Sequence, residues 1–190
     1  NLGDALAAET GFKIEMIPLP MKRMGPELIS GNISFICYTL EAWLPSVKEQ
    51  VLWSDVIFNN QNLLVSLGAK PITSLKDLDK KRVGVVVNFY YPNLEDSFNK
   101  YQIFRENGPN NESNLQKLLH GRVDYVVLSS LEYQYQKKLQ PRLNAYDLGI
   151  DTFGVKCAVS KKSPLSVSKI NQAIAAMKKS GKLDRIFRLP

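Results

Sequence analysis

The chain has 190 residues, of which 44% are hydrophobic and 23% charged, and this balance is ordinary for a globular protein with a buried core. No apolar stretch approaches the ~20 residues of a membrane-spanning helix. The net charge of +7 comes from lysines and arginines that are scattered singly or in short groups. Composition therefore excludes a transmembrane chain and disfavours nucleic acid as a partner.

Two cysteines and one histidine leave little for metal or nucleophile chemistry. Cys37 and Cys157 both lie in apolar runs, "ISFICYT" and "FGVKCAVS". They are either two small buried side chains or, in an oxidising compartment, a disulfide between neighbouring strands. His120 has no second histidine or nearby cysteine to share a zinc ion with, so we expect no metal and no cofactor.

Helix and strand patterns alternate from the start of the chain. The first residues, up to Gly11, are typical of a helix, and "FKIEMI" at 12–17 alternates as a strand. "MKRMGPELISGN" predicts a second helix, and "ISFICYT" predicts a buried strand. A strand-like run at 62–67 then leads to the turn "GAKP".

Two strands in the middle of the chain are apolar almost throughout, at 83–87 and 123–128. Such runs are typical of strands that are covered on both faces, and we expect these two to lie side by side in one sheet. Helical stretches separate them, and the chain ends with an amphipathic helix. This alternation predicts an α/β fold with mostly parallel sheets.

Unusual residues follow directly after both apolar strands. "NFYY" comes after the first strand, and Ser129-Ser130 comes after the second. Ligands of open α/β sheets bind beyond the carboxyl ends of the strands. We therefore expect both turns to open on the same edge of the sheet, where ligands bind.

Several stretches carry motifs in a familiar order. "SLKDLDKKRVGV" is similar to "SLxDLxGKRVGV", and "LQKLLHGRVDYVV" is similar to "LxxLxxGRVDAVV". "WSDVIF" resembles "FSDPxY", and "PLPMKRMGPELISGN" resembles an opening of the form "PxPWxRxxxxLxxG". Taken in their order along the chain, these motifs extend over about residues 2 to 187. Together they resemble bacterial type II periplasmic solute-binding proteins of family 3, the amino-acid-type binding proteins of ABC transporters.

The resemblance implies two α/β lobes, joined by a hinge of two crossing strands and closing over a small solute. Lobe 1 is then expected at 1–66 and 154–190, and lobe 2 at 67–153. The parallel strands of both lobes are expected to point their carboxyl ends at one cleft. The usual first strand of the family is absent, so the chain is either an incomplete copy of the fold or lacks those residues as given.

Both anchors that the family uses for an amino acid are altered. The family carries an arginine before "FSD" that grips the α-carboxylate, but "LEAWLPSVKEQVLWSD" contains none, and Lys48 is a weak substitute. Where the family has an acidic residue for the α-amino group, this chain has Ser129. We expect ordinary amino acids to bind weakly, and the neighbouring aromatic residues favour a less charged, flatter or larger solute.

The expected ligand-binding residues lie at the ends of predicted strands and at one helix start. They are Arg23, Tyr38, Thr39, Trp43, Asn88, Phe89, Tyr90, Tyr91 and Ser129. For the aromatic residues the structural alternative is core packing, for Asn88 it is turn formation, and for Arg23 it is capping of its surroundings. In the position of Asn88 the family usually has glycine, which favours a left-handed backbone there.

The resemblance implies a periplasmic, monomeric, non-enzymatic protein that captures a small polar or aromatic solute for an ABC transporter permease. A second interpretation makes the chain the ligand-sensing domain of a membrane receptor of the histidine kinase type. A third makes it a cyclic-acid dehydratase on the same fold. Dehydration needs a general acid or base, and the available side chains, Glu41, Lys48, Glu95 and Glu132, have no evident pairing in the sequence.

Overall fold

The computed structural model describes residues 1–68 and 71–187, which form two compact units. Unit 1 contains Asn1–Asn59 and the chain from Gly154 onward, and unit 2 contains Asn60–Phe153. The chain passes between the units within two long strands, at 59–60 and at 153–154. The sequence predicts the first crossing later, after residue 66, because "GAKP" is the visible break there. In the structure one strand runs unbroken from Phe58 to Leu67, and the chain passes between the units within it.

The elements alternate between helix and strand along most of the chain. In chain order they are α1 (Leu2–Thr10), α2 (Met21–Ser30), β1 (Phe35–Thr39), a short 3-10 helix (Glu41–Trp43), β2 (Val51–Trp53), β3 (Phe58–Leu67), a second 3-10 helix (Leu75–Leu78), β4 (Arg82–Val86), α3 (Pro92–Lys100), β5 (Phe104–Gly108), α4 (Asn111–Leu119), β6 (Tyr125–Ser129), α5 (Ser130–Leu139), β7 (Leu143–Ser160), α6 (Val167–Lys179) and α7 (Lys182–Phe187). Within the described ranges, no helix combines the length and the apolar character needed to cross a membrane.

The strand predicted at 12–17 is wrong, because residues 11–20 form neither helix nor strand. Phe12 and Ile14 are half-buried, whereas Met16 and Ile17 are exposed. Only the first two apolar residues of the alternation therefore turn toward the unit. A strand also needs a neighbouring backbone to bond with, and a single segment of sequence cannot show one.

Unit 1 is built around the carboxyl half of β7. Both β1 and β2 pair with it in the antiparallel direction. Leu28, Val51 and Ala158 form a buried cluster between α2 and these strands. Cys37 lies directly opposite Cys157 in the β1–β7 ladder, and the two cysteines form a disulfide. The alternative that the sequence leaves open is therefore decided in favour of the cross-link.

Unit 2 holds a sheet with the strand order β3-β6-β4-β5 and a hydrophobic core on each face. Along β6, Tyr125 and Val127 belong to one core, and Val126 and Leu128 belong to the other. β4 and β6 are hydrogen-bonded neighbours in the parallel direction. The prediction that the two apolar strands lie side by side and are covered on both faces is confirmed.

The expectation of mostly parallel sheets needs a correction. Parallel pairing joins β4 to β5 and β4 to β6, whereas β1 with β7, β2 with β7 and β3 with β6 are antiparallel. Each antiparallel pairing involves β3 or β7, the strands in which the chain passes between units. Parallel neighbours require a strand–helix–strand crossover. The strands β3 and β7 instead carry the chain from one unit to the other, so no such crossover sets their direction. The fold is α/β with mixed sheets.

The end of β5 depends on a close approach between Gly108 and Asn114. A Cβ atom added at Gly108 would overlap the side-chain oxygen of Asn114, which is fully buried in α4. Neither polar atom of that amide has a hydrogen-bond partner. We expect Gly108→Ala to lower the free energy of unfolding by about 1–3 kcal/mol, because the added methyl group overpacks the site.

The double variant Gly108→Ala/Asn114→Ala is the matched control. Removing the amide gives the methyl group room, so most of the Gly108→Ala penalty should disappear in the Asn114→Ala background. Urea unfolding of the four proteins in this cycle measures the coupling. Strictly additive effects would show that the overlap does not determine the cost.

Candidate functional site

In unit 1 the strand β1 ends in a bulge at Tyr38. Cys37 pairs with Cys157, but Thr39 pairs with Lys156, so Tyr38 is the extra residue of a β-bulge at which the register of the ladder shifts. Its φ angle is +62°, a left-handed conformation that bulky side chains rarely adopt. Thr39 is buried, and Tyr38 is partly exposed. The bulge therefore turns the Tyr38 ring out of the ladder.

Three aromatic rings gather beside this bulge, and we call Tyr38, Trp43 and Phe58 the aromatic surface of unit 1. The ring centroid of Tyr38 lies 6.5 Å from that of Trp43 and 5.9 Å from that of Phe58. Phe58 stacks on Phe187 of α7 at 4.0 Å. Offset and tilted ring pairs at these separations are favourable, so the rings support one another.

A charged pair stands next to the aromatic surface of unit 1. The Nζ of Lys156 donates to the Oε1 of Glu41 at 2.7 Å. Partial burial alone would favour the neutral carboxyl, but the hydrogen bond and the charge of Lys156 prevail and lower the pKa of Glu41. Glu41 is therefore held as a carboxylate beside Trp43.

Arg23 lies in the first turn of α2 and is largely exposed. Its Nη2 donates to the Oε1 of Glu27 at 2.5 Å, one helical turn further on. This hydrogen bond, with a second from Asn32, lowers the pKa of Glu27. The structure thus gives Arg23 a local ion pair on its own helix, a partner that the sequence analysis did not name.

In unit 2 the turn after β4 follows the conformation that the sequence suggested. Asn88 has a φ angle of +65°, so the residue in the usual glycine position is left-handed. The amide of Phe89 donates to the carbonyl of Val86 at 3.2 Å and closes the turn. Asparagine tolerates this region better than most residues, which explains why it can replace glycine here.

The three aromatic residues after Asn88 do not share one environment. Phe89 and Tyr90 are 38% and 71% exposed, whereas Tyr91 is 3% exposed and belongs to a core of unit 2. The Tyr91 hydroxyl oxygen accepts a hydrogen bond from the amide of Val86 at 3.3 Å, and burial raises the pKa of this phenol. Tyr91 is an anchor of the turn, so core packing explains it better than a ligand wall does.

Arg105 of β5 holds both sides of this turn. Its Nη2 donates to the carbonyl of Phe89 at 2.7 Å, and its Nη1 pairs with Glu95 at 2.5 Å. Glu95 in turn accepts from the amide of Tyr91 at 3.2 Å. The guanidinium also lies over the rings of Tyr91 and Phe98, at 6.0 and 5.2 Å from their centroids. One side chain therefore fixes the backbone before and after Tyr90.

Ser129 is buried at the end of β6 and caps α5. Its hydroxyl donates to the Oε2 of Glu132 at 2.8 Å and accepts from the Glu132 amide at 3.3 Å, a capping box. The side-chain amide of Asn111 donates to both oxygens of Glu132, at 2.8 and 2.9 Å. The structure thus gives Ser129 a structural partner, and the acidic charge of this region resides on Glu132, three residues later.

The acid–base candidates of the sequence have partners in the structure. Glu41 pairs with Lys156, Glu95 pairs with Arg105, and the Nζ of Lys48 lies 3.8 Å from the neighbouring Glu49. In the described ranges, no group of three or more His, Cys, Asp or Glu side chains is placed to hold a metal ion. The candidate site residues comprise a set of polar and aromatic groups in unit 1 and another such set in unit 2.

Sequence reasoning missed Phe58, Lys156, Arg105 and Asn111. Arg105 lies in the polar strand "FRENG", whose composition does not indicate a strand, so its contacts with the turn had no local signal. The spacing of Ser129 and Glu132 is that of a capping box and could have been found. Asn111 and Lys156 join the site only through tertiary contacts.

Comparison with known proteins agrees with this geometry. A family model described as bacterial extracellular solute-binding proteins, family 3, matches residues 1–188. The arginine-binding extracellular protein ArtP of Bacillus subtilis (strain 168) is 26% identical over 98% of this chain and 74% of its own length. An ancestral arginine-binding protein bound to glutamine is 29% identical, with a TM-score of 0.72 over 98% of this chain and 83% of that one.

A second structure of an ancestral arginine-binding protein, bound to arginine, is 28% identical with a TM-score of 0.72 and covers 98% of this chain and 84% of its own. Fold, strand-end residues and family model point to a solute-binding protein. This chain belongs to the bacterial extracellular solute-binding proteins of family 3.

The contacts of Arg105 predict a graded response to substitution. Arg105→Met removes the ion pair and the bond to the Phe89 carbonyl, and we expect it to lower the free energy of unfolding by about 1–2 kcal/mol because the pair is partly solvated. Backbone amides at 88–91 should exchange faster with solvent hydrogen. Arg105→Lys keeps one charge contact without the planar fork, so it should give an intermediate effect.

Arg122→Met is the matched control, since Arg122 is an exposed arginine of the same unit. Amide exchange followed by mass spectrometry compares the variants. Equal exchange at 88–91 in the Arg105→Met and Arg122→Met proteins would contradict the role of Arg105 in holding the turn.

Proposed function

We propose that this chain is the periplasmic solute-binding protein of an ABC transporter, acting as a monomer that delivers a small polar or aromatic solute to a permease. Membership of a family of extracellular solute-binding proteins supports this class of function. The observation that supports an aromatic solute is the exposure of Phe89 and Tyr90, which follow β4 on a turn held by Arg105. Exposed rings on a backbone that is held in place are suited to stacking on a planar solute.

The polar groups favour a solute that differs from a simple zwitterion. The segment from Leu40 to Trp53 contains no arginine for a carboxylate, and the Ser129 hydroxyl is engaged with Glu132. Glu132 and Glu41 are carboxylates of the two candidate sets, and both accept hydrogen bonds from neighbouring side chains. The proposed solute is therefore flat, with few formal charges, and makes contact through rings and hydroxyl groups.

In the proposed role the chain is a binding protein and not an enzyme. The carboxylates that could move a proton are engaged in ion pairs or capping contacts with Lys156, Arg105 and Ser129. Turnover of a cyclic acid incubated with the protein would overturn this part of the proposal. A sensory role would use the same recognition of solute, and it differs only in what the rest of the gene product contains.

A thermal-shift screen tests the proposed function. The panel contains L-arginine, L-glutamine, spermidine, phenylacetate, 4-hydroxybenzoate and glycylglycine. A ligand present at 100 times its Kd stabilises the folded state by about 2.7 kcal/mol, which raises the Tm of a chain of this size by roughly 5–10 °C. We expect an aromatic acid to give the largest rise. A panel that leaves Tm unchanged throughout would count against the proposed ligand class.

Ordinary amino acids should bind weakly. Loss of one buried charged partner costs on the order of 2–5 kcal/mol, and both of the family's charged anchors are altered here. We expect isothermal titration calorimetry with L-arginine and L-glutamine to give Kd values in the millimolar range. The strongest compound of the panel, titrated into the same preparation, is the positive control. Micromolar binding of either amino acid would refute this prediction.

The exposed aromatic pair of unit 2 should contribute directly to binding. We expect Phe89→Ala/Tyr90→Ala to weaken binding of the strongest panel compound by roughly 1–3 kcal/mol, because the solute would lose both of the rings on which it stacks. Stability should change little, since both side chains are substantially exposed. Calorimetry and urea unfolding measure the two quantities.

Phe104→Ala is the matched control for this experiment. Phe104 is 55% exposed and lies at the start of β5, opposite the start of β4, so it is a solvent-facing ring of the same unit at the other end of the strands. It should leave binding unchanged. If the Phe89→Ala/Tyr90→Ala protein unfolds, or binds as tightly as the Phe104→Ala protein, the rings have no role in recognition.

A further inference from the structure

The disulfide of unit 1 lies one residue before the bulge that presents Tyr38. Phe35, Ile36 and Cys37 pair in regular register with Val159, Ala158 and Cys157. The register then shifts, and Thr39 pairs with Lys156. The covalent bond therefore joins the last regular pair of the ladder before the shift.

The left-handed conformation of Tyr38 is strained, so contacts on both sides of the bulge must restrain the backbone there. A non-glycine residue with a positive φ is disfavoured relative to an extended one, most of all when its side chain is large. After the bulge, Thr39 is held by its pairing with Lys156, and Lys156 is held by Glu41. Before the bulge, the disulfide between Cys37 and Cys157 holds the strand.

The simplest route by which Tyr38 could relax is a slip of β1 by one residue. If residues 35–37 moved along β7, Tyr38 could become an ordinary extended residue of the ladder. A one-residue slip turns each side chain to the opposite face of a strand, so the ring of Tyr38 would leave Trp43 and Phe58. The slip is impossible while Cys37 is bonded to the residue directly opposite.

We propose that the Cys37–Cys157 disulfide is a register lock that positions Tyr38 for solute recognition. It acts by forbidding the slip that would dissolve the bulge and disperse the aromatic surface of unit 1. Its contribution to binding rests on the function proposed above, whereas its effect on the bulge does not. The cysteines are positioning residues, since neither needs to touch the solute.

Reduction opens the lock without changing the sequence. Dithiothreitol transfers two electrons and two protons, so the S–S bond is cleaved to two thiols and the reagent becomes a cyclic disulfide. Cys37 is partly exposed, which gives the reagent access, whereas Cys157 is buried. The reduced protein can therefore be compared with the oxidised one at identical composition.

Two measurements on the ligand-free protein report the register. In a Trp53→Phe background, Trp43 is the remaining tryptophan, and its emission reports its contact with Tyr38. Amide exchange reports the ladder at 35–39. On reduction we expect a changed Trp43 emission and roughly five- to thirty-fold faster exchange at 35–39, the range set by the cost of a left-handed residue.

Controls separate a register lock from a general cross-link. The variant Cys37→Ala/Cys157→Ala should match the reduced protein and should not respond to dithiothreitol. Tyr38→Gly removes the backbone strain, so reduction should accelerate its exchange much less than in the parent. Three results overturn the proposal: no local change on reduction, equal acceleration in the Tyr38→Gly protein, or unfolding of the reduced protein as a whole.

Binding measurements distinguish failure of the register lock from failure of the proposed function. Calorimetry with 4-hydroxybenzoate and phenylacetate on oxidised and reduced protein should give an affinity about five- to thirty-fold weaker after reduction. Equal affinity with a changed register would overturn the positioning role and leave the proposed function standing. If neither compound nor any other of the panel binds the oxidised protein, the proposed ligand class fails, and exchange and emission alone decide whether the lock exists.

Discussion

Burial of both faces of β4 and β6 is the constraint on which the rest of unit 2 depends. Their side chains alternate between two hydrophobic cores, and the parallel pairing of the strands fixes their ends at one edge. The chain must then leave each strand at that edge, after Val86 and after Ser129. The positions of Asn88 and Ser129 are consequences of this packing, because no residue of the turns themselves is needed to choose the edge.

Within the turn after β4, the buried residue Tyr91 anchors the backbone, whereas its neighbours Phe89 and Tyr90 are exposed. Tyr91 is inserted into the core and is the N-cap residue of α3, so the backbone on its side is fixed. Arg105 fixes the other side by its bond to the Phe89 carbonyl. Phe89 and Tyr90 lie between these two attachments and keep their exposure. A pair of exposed rings on an otherwise mobile turn would lose much of any contact energy to ordering, and this arrangement avoids that cost.

The fold could be predicted from the sequence further than the site could. Apolar runs and helix patterns identify β4, β6 and most helices, since burial leaves a mark on each residue. The prediction of a strand at 12–17 was wrong because a strand needs a second segment to pair with, which the local pattern does not show. The strand β5 was not predicted because its sequence, "FRENG", is polar. The site depends on contacts distant in sequence, such as Arg105 with Phe89. An aromatic triplet indicates rings near a strand end, but the sequence alone does not show that Tyr91 points inward.

Both units present their aromatic residues by the same backbone device, and they hold it in different ways. A residue with positive φ lies near the end of each strand: Tyr38 is the bulge before the last residue of β1, and Asn88 lies two residues after the end of β4. Asparagine accepts this conformation at little cost, and Arg105 donates a hydrogen bond to the turn that follows. Tyrosine pays more for the same angle, and its bulge can be erased by a slip of the short strand β1. A covalent bond at the adjacent position is the stronger restraint where the strain is larger, which accounts for a disulfide in unit 1 and a salt-bridged arginine in unit 2.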